Sequence, residues 1–179
     1  MSTQKTVRQQ FGTVEKSEAL RLDEEKAEQI VDALNTDLAN ANVLYHQLKK
    51  HHWNVEGAEF LDIHVFLQEA YENLEEGADA IAERAQAIGG VPVAGPTNQE
   101  DRATIEFEGE DVYDIRTSLA NDMDAYGDMI EGMREHIQLA ANLGDPTTEH
   151  LLKEVLIELE EDAHHIEHYL EDDSLIYTE

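Results

Sequence analysis

Four side chains in the middle of this sequence have the types and spacing to hold a metal ion: His52, His64, Asp79 and Glu83. Imidazole and carboxylate together suit a first-row divalent ion, and the carboxylates favour a harder, oxidised product. Asp79 and Glu83 are four residues apart, one helical turn, so their carboxylates share one face. His64 lies fifteen residues before Asp79. That is a rise of about 22 Å on a helix, against metal–ligand distances of about 2 Å. One chain cannot bring all four together. An antiparallel second copy can, if a two-fold axis crosses this helix near Glu72 or Asn73, so that two imidazoles of one chain face two carboxylates of the other. A few ligands spread across an interface leave positions open for an oxidant, as metal-ion catalysis requires.

The elements that must carry these residues are helices. Ile30, Leu34, Leu38, Ala41, Tyr45, Leu48 and His52 recur at steps of three and four, which puts His52 in the buried seam of a first helix. A satisfied core histidine is the alternative reading of that position. Asn54 to Gly57 makes a polar turn that folds the chain back and lets His52 meet His64. The second helix has its seam at Phe60, Leu67, Tyr71, Leu74, Ala78, Ile81, Ala85 and Ile88 and stops at Gly89-Gly90. Gln68, Glu72, Glu75, Asp79 and Glu83 form a second stripe beside it, with His64 at the border. As a plain alternative, such a stripe is a solvated face.

Val91 to Pro96 cannot continue a helix and opens a crossover with room for a short helix before Gly109. A third helix is expected from about Asp111 to Leu143, with a seam at Val112, Ile115, Leu119, Tyr126, Ile130, Met133 and Ile137. Met123, Met129 and Met133 read as flexible core filling. Asp145-Pro146 starts a fourth helix as cap and first-turn proline, with a seam at Leu152, Leu156, Leu159, Ala163, Ile166 and Leu170. Offset from it, His150, Glu161, His164 and His168 form a polar stripe edged by Glu154 and Asp172. That stripe reads as a solvated face, as a path for ions, or as part of an intrachain di-iron centre. The last needs two Glu-x-x-His motifs, and Glu161-x-x-His164 is the only one in the sequence.

Composition narrows the class. The 41 acidic residues against 12 basic ones give a net charge of −29. Repulsion at that charge is severe in dilute buffer, and molar salt relieves it by shrinking the Debye length to about 3 Å. The acidity therefore reads as halophilic adaptation. Disorder is excluded because 41% of the residues are hydrophobic and fall in helical register. With no cysteine there is no disulfide framework or thiolate site. No signal-peptide core and no apolar run near the ~18 residues of a membrane span is present, so a cytoplasmic protein is expected. Residues 1–22 are polar, without sustained periodicity, and read as a mobile tail before a single domain over residues 23–179.

The words His51-His52-Trp53-Asn54-Val55-Glu56-Gly57, then His64, then Asp79-x-x-x-Glu83-Arg84, then Ile88-Gly89-Gly90-Val91-Pro92, resemble the Dps family of miniferritins. The acidity fits a haloarchaeal member. The resemblance covers roughly residues 25 to 172. It implies an all-α, ferritin-like four-helix bundle, with a short extra helix in the crossover between helices two and three, assembled into a hollow dodecamer. It also implies an iron-storage and detoxification protein that oxidises Fe2+, by preference with hydrogen peroxide, at two-fold interfaces, and stores Fe3+ in the cage. By the match His52, His64, Asp79 and Glu83 are the ferroxidase ligands, and Trp53 falls where the family often keeps an aromatic near the iron. Iron is then substrate and product. Glu72 and Glu75, with Glu76, are candidates for nucleating ferric product, and His150, Glu154, Glu161, His164 and His168 are candidates for an ion path.

Two other classes compete. A DNA-compaction protein would use a basic tail, as many Dps proteins are thought to do, but Lys5, Arg8, Lys16 and Arg21 are four bases on a strongly anionic chain. High salt weakens such binding further, so DNA binding is not expected. A haem-binding bundle with Met or His as axial ligand is the other, and a Soret band would reveal it.

Overall fold

A computed structural model describes residues 6–171 and contains five helices: α1 (Glu24–Asn54), α2 (Phe60–Ala87), α3 (Pro96–Arg102), α4 (Ile115–Leu143) and α5 (Pro146–Leu170). No strand occurs among the described residues. The four long helices form the bundle, with α1 packed on α2 and α4, α5 on α4 and α2, and the short α3 lying across α1 within the crossover. Leu34, Leu44, Leu48, Leu67, Ile81, Met129, Met133, Leu152 and Ile166 fill the interior, and each is fully buried. Met129 and Met133 thus pack as core residues. No described helix is long and apolar enough to cross a membrane.

Helix ends follow local chemistry. The Val55 N–H closes α1 on the His51 carbonyl at 2.8 Å, and Gly57, at φ +112°, reverses the chain. The third long helix starts at Ile115 instead of Asp111, because the Asp114 carboxylate caps it by accepting from the Thr117 N–H at 3.1 Å. Val112 consequently leaves the expected seam and is 61% exposed. Asp145 caps α5 at the Thr148 N–H, and Pro146 sits in its first turn. The Arg84 guanidinium reaches both oxygens of Asp145 at 2.8 Å and ties the end of α2 to the start of α5.

Two buried asparagines on α1 hold the crossover. Asn35 donates to the Val91 carbonyl and accepts from the Val93 N–H; Asn40 exchanges bonds with Thr104. The N-terminal stretch has no helix over its described residues; Val14 and Leu22 pack against the core, and hydrogen bonds tie it to Gly89. The Gly89 carbonyl accepts from the Glu15 N–H at 2.9 Å and from Gln9 Nε2 at 2.8 Å. At φ +100°, Gly89 has no room for a Cβ, whose place the Glu15 carbonyl occupies.

Candidate metal centre

The first helix carries two adjacent histidines, and the structure gives them different tasks. The seam runs through Leu44, Leu48 and His51, so His51 is the one in the core, only 4% exposed. His52 continues the edge position of Tyr45 and is half-buried, not in the seam as the spacing suggested. The imidazole of His51 is held between Asp122 Oδ2, 2.7 Å from Nδ1, and Glu108 Oε1, 2.5 Å from Nε2. Burial alone would lower its pKa, but the bonds and charges of Asp122 and Glu108 outweigh it and raise the pKa above 6.5. Burial also opposes ionisation of Glu108, yet hydrogen bonds from Lys50, Asn121 and His51 hold its carboxyl below the ordinary value. The cluster is an imidazolium and an ammonium joined to buried carboxylates. It locks the C-terminal end of α1 against α4 and the crossover.

Locked in this way, α1 presents His52 to the start of α2. The rings of His52 and His64 are stacked with centroids 3.8 Å apart and planes 17° from parallel. Nδ1 of His52 lies 2.9 Å from the His64 carbonyl, and Nδ1 of His64 lies 3.0 Å from the His52 carbonyl. A carbonyl only accepts, so each Nδ1 must carry the proton. In the neutral rings each Nε2 then keeps its lone pair. Fixing one ring nitrogen by a carbonyl is how proteins orient imidazoles that ligate metals through the other. Phe60, 42% exposed instead of lying in the α2 seam, stacks on His64 at 5.0 Å. Tyr71 stands edge-on to His52 at 5.4 Å.

Asp79 and Glu83 are exposed on the same helix, further along. Among the described residues of one chain, no three His, Asp or Glu side chains gather as a metal site. The structure thus joins His52 to His64 and joins neither carboxylate to them. Trp53 is 69% exposed and lines a groove with His46, Phe107 and Val112, and within the chain the aromatics at the imidazoles are Tyr71 and Phe60. Sequence spacing held the signal for both rings missed at first: Phe60 and Tyr71 stand four before and seven after His64 on one helix.

The remaining candidates lie on exposed surfaces. Glu72 accepts from Gln68 Nε2 at 2.8 Å, and Glu75 is exposed one turn beyond Tyr71. On α5, Nε2 of His168 is 3.1 Å from Nε2 of His164, and His150 is 3.4 Å from Glu154. Glu161 is exposed on the same helix; Asp172 lies outside the described residues. Several polar groups of the interior are not marked by the sequence pattern, and Asp162 is among them. Asp162, 5% exposed, receives bonds from Tyr126 at 3.3 Å and Asn73 at 3.4 Å, and burial pushes its carboxyl up to about 6.

Comparison with known proteins agrees with this architecture. Residues 31–176 match the model of the ferritin-like domain family. The chain is 67% identical over 176 residues to a protein of Halobacterium salinarum named "DNA protection during starvation protein", covering 98% of this chain and 97% of that one. The crystal structure of an archaeal Dps homologue from the same organism superposes with a TM-score of 0.94 at 66% identity, covering 98% of each chain. The Dps protein of Vibrio cholerae, whose description places it in a broad superfamily of ferritin-like diiron-carboxylate proteins, superposes with a TM-score of 0.82 at 26% identity, covering 89% of this chain and 99% of that one. With a ferritin-like bundle and a near-full-length relative this similar, the chain belongs to the Dps family of ferritin-like proteins.

Proposed function

We propose that this chain oxidises Fe2+, preferably with hydrogen peroxide, at sites shared across a two-fold interface, and stores the Fe3+ inside a dodecameric cage in the cytoplasm, protecting the cell from oxidative damage. The observation that carries the reading is the reciprocal His52–His64 pair, which fixes both Nδ1 protons on carbonyls and leaves each Nε2 with its lone pair. Asp79 and Glu83 of a second copy, related by an axis near Glu72 or Asn73, complete the ligand set, with Glu83 able to bridge two ions. Imidazoles accept Fe2+, and the carboxylates favour the Fe3+ product. Peroxide is consumed by two electrons from paired iron, which avoids releasing a hydroxyl radical. Ferric product passes to Glu72 and Glu75, the nucleation candidates. On α5, the paired Nε2 atoms of His164 and His168, with His150, Glu154 and Glu161, form an exposed run of donors that can pass Fe2+ along without trapping it.

DNA contact is the second reading, since the similar Halobacterium salinarum protein is named for DNA protection. A net charge of −29 opposes direct binding. Protection through iron removal needs no contact.

The test is anaerobic Fe2+ in molar KCl titrated with peroxide, for wild type and an Asp79→Ala, Glu83→Ala variant. Two irons oxidised per peroxide, fast in wild type and slow in the variant, support the reading. Equal behaviour of the two proteins removes the site.

A further inference from the structure

The N-terminal stretch carries a hook that serves nothing inside its own chain. Gln9 and Glu15 both bond the Gly89 carbonyl, and Val14 packs against the core. Between these anchors Thr13 closes a tight turn, donating from its N–H and its Oγ1 to the Gln10 carbonyl at 3.2 and 2.7 Å. Gly12 supplies the positive φ, +83°, that the third position of such a turn requires. Phe11 takes the second position and is 55% exposed, and Val7 is exposed four residues before it. An aromatic ring is thus held out into solvent on an anchored turn. Charge also sets this stretch apart. Lys5, Arg8, Lys16 and Arg21 against Glu15 and Glu18 give residues 1–22 a net +2, which leaves −31 on the rest of a chain whose total is −29.

Resting on the two-fold reading of the metal site, we propose that the hook of one chain docks on the α1–α2 turn of a second copy and closes the outer side of the imidazole pair. Gly89 lies about 16 residues after an axis near Glu72 or Asn73, and Glu56 lies about 16 before it. Antiparallel pairing about that axis therefore brings one chain's Gly89, with the hook tied to it, beside the partner's turn. The two surfaces match in kind. The turn exposes Trp53, Phe60 and Leu61 together with the acids Glu56 and Glu59. The hook exposes Val7 and Phe11 together with the bases Arg8 and Lys16. In molar salt, charges further apart than about 3 Å are screened. Apolar contact then supplies the attraction, and acid–base pairs in direct contact select the partner. Phe60 stacks on His64, so a hook seated on it shields the imidazoles from solvent. The chain that lends Asp79 and Glu83 to the site also lends its cover.

The experiment is photo-cross-linking of the assembled full chain in molar KCl, with Phe11→p-benzoylphenylalanine as the probe and peptide mass spectrometry as the readout. Within one chain residue 11 and residues 53–61 lie at opposite ends of α2, whose 28 residues span about 42 Å. A cross-link between them forms only across chains. It is the expected product, and cross-links confined to other segments, or none, overturn the proposal. Trp53 is the sole tryptophan, so acrylamide quenching of its fluorescence reads the cover without a photoprobe. Quenching in the assembled protein is expected to rise severalfold in Phe11→Ser, a change at an exposed turn position; quenching equal to that of wild type overturns the proposal. The axis is read separately. The chain has no cysteine, so in Glu72→Cys a short bismaleimide joins two chains only where the axis passes nearby. Chains left unjoined overturn the two-fold reading itself, whereas joined chains without a cross-link from residue 11 to residues 53–61 overturn only the hook.

Discussion

His52 and His64, twelve residues apart on different helices, each hold the other's backbone carbonyl through Nδ1 while their rings stack at 3.8 Å. The arrangement is at once a latch on the α1–α2 hairpin and a way of aiming two nitrogen lone pairs. His64→Ala removes one bond, the stack and one proposed ligand. The expected outcome is a loss of about 1–2 kcal/mol in a KCl-buffered denaturant titration, together with iron oxidation slowed by about 10-fold or more. An unchanged oxidation rate would separate the latch from any metal chemistry.

Asp122 anchors the buried imidazolium of His51. Asp122→Ala leaves that charge with Glu108 alone and is expected to cost about 3–5 kcal/mol. The His51 pKa is raised in the folded state, so its contribution is fully present below the unfolded value near 6.5 and is lost as pH rises through the higher folded value. Wild-type stability should therefore fall above pH 6.5 more steeply than that of the variant, in which Glu108 still faces His51 and His136 still faces Asp37. Parallel pH profiles for the two proteins would count against an imidazolium here.

Asp162 shifts stability with pH in the same direction, but through a buried carboxyl that is costly to ionise. Its carboxyl is raised from 3.8 to about 6, so the folded state favours the protonated form, and stability is lost as pH rises through that interval. Asp162→Asn keeps an acceptor for Tyr126 and Asn73 without the buried charge. Thermal midpoints should rise in the variant at pH 8, by the equivalent of roughly 1–3 kcal/mol, and converge with wild type by pH 4. A variant less stable than wild type at pH 8 would show that the carboxylate is better satisfied than the geometry implies.

Gly89 is where the N-terminal stretch is tied. Gly89→Ala puts a methyl group where the Glu15 carbonyl lies and places a non-glycine residue at φ +100°. The expected cost is about 1–3 kcal/mol, and the stretch should come loose. Trypsin reads this directly, as faster cleavage at Lys16 and Arg21. Cleavage at the wild-type rate would mean that the Glu15 and Gln9 bonds to Gly89 do little to hold it.

The sequence by itself determined the helices and their class. Apolar residues at steps of three and four set four long amphipathic faces, and Asp145-Pro146 and Gly89-Gly90 marked ends that the structure keeps. The pairing of His52 with His64 was equally legible, because a glycine turn between two helices folds residues near its two sides together. Tertiary structure decided what periodicity cannot resolve. Two adjacent histidines differ by about 100° around a helix, so whether 51 or 52 faces the core depends on what lies opposite. There, Asp122 of α4 and Glu108 of the crossover select His51, and they come from segments 71 and 57 residues away. Asp162 with Tyr126, and Asn35 and Asn40 with the crossover, escaped notice for the same reason: a polar residue in a helical pattern looks solvated until its partner on another element is known. Within one chain the rings against the imidazoles are Tyr71 and Phe60, whereas Trp53, expected near the iron by family resemblance, lies on the surface. What one chain leaves apart, the imidazoles and the carboxylates of Asp79 and Glu83, follows from helix rise alone, and both levels of description agree on it.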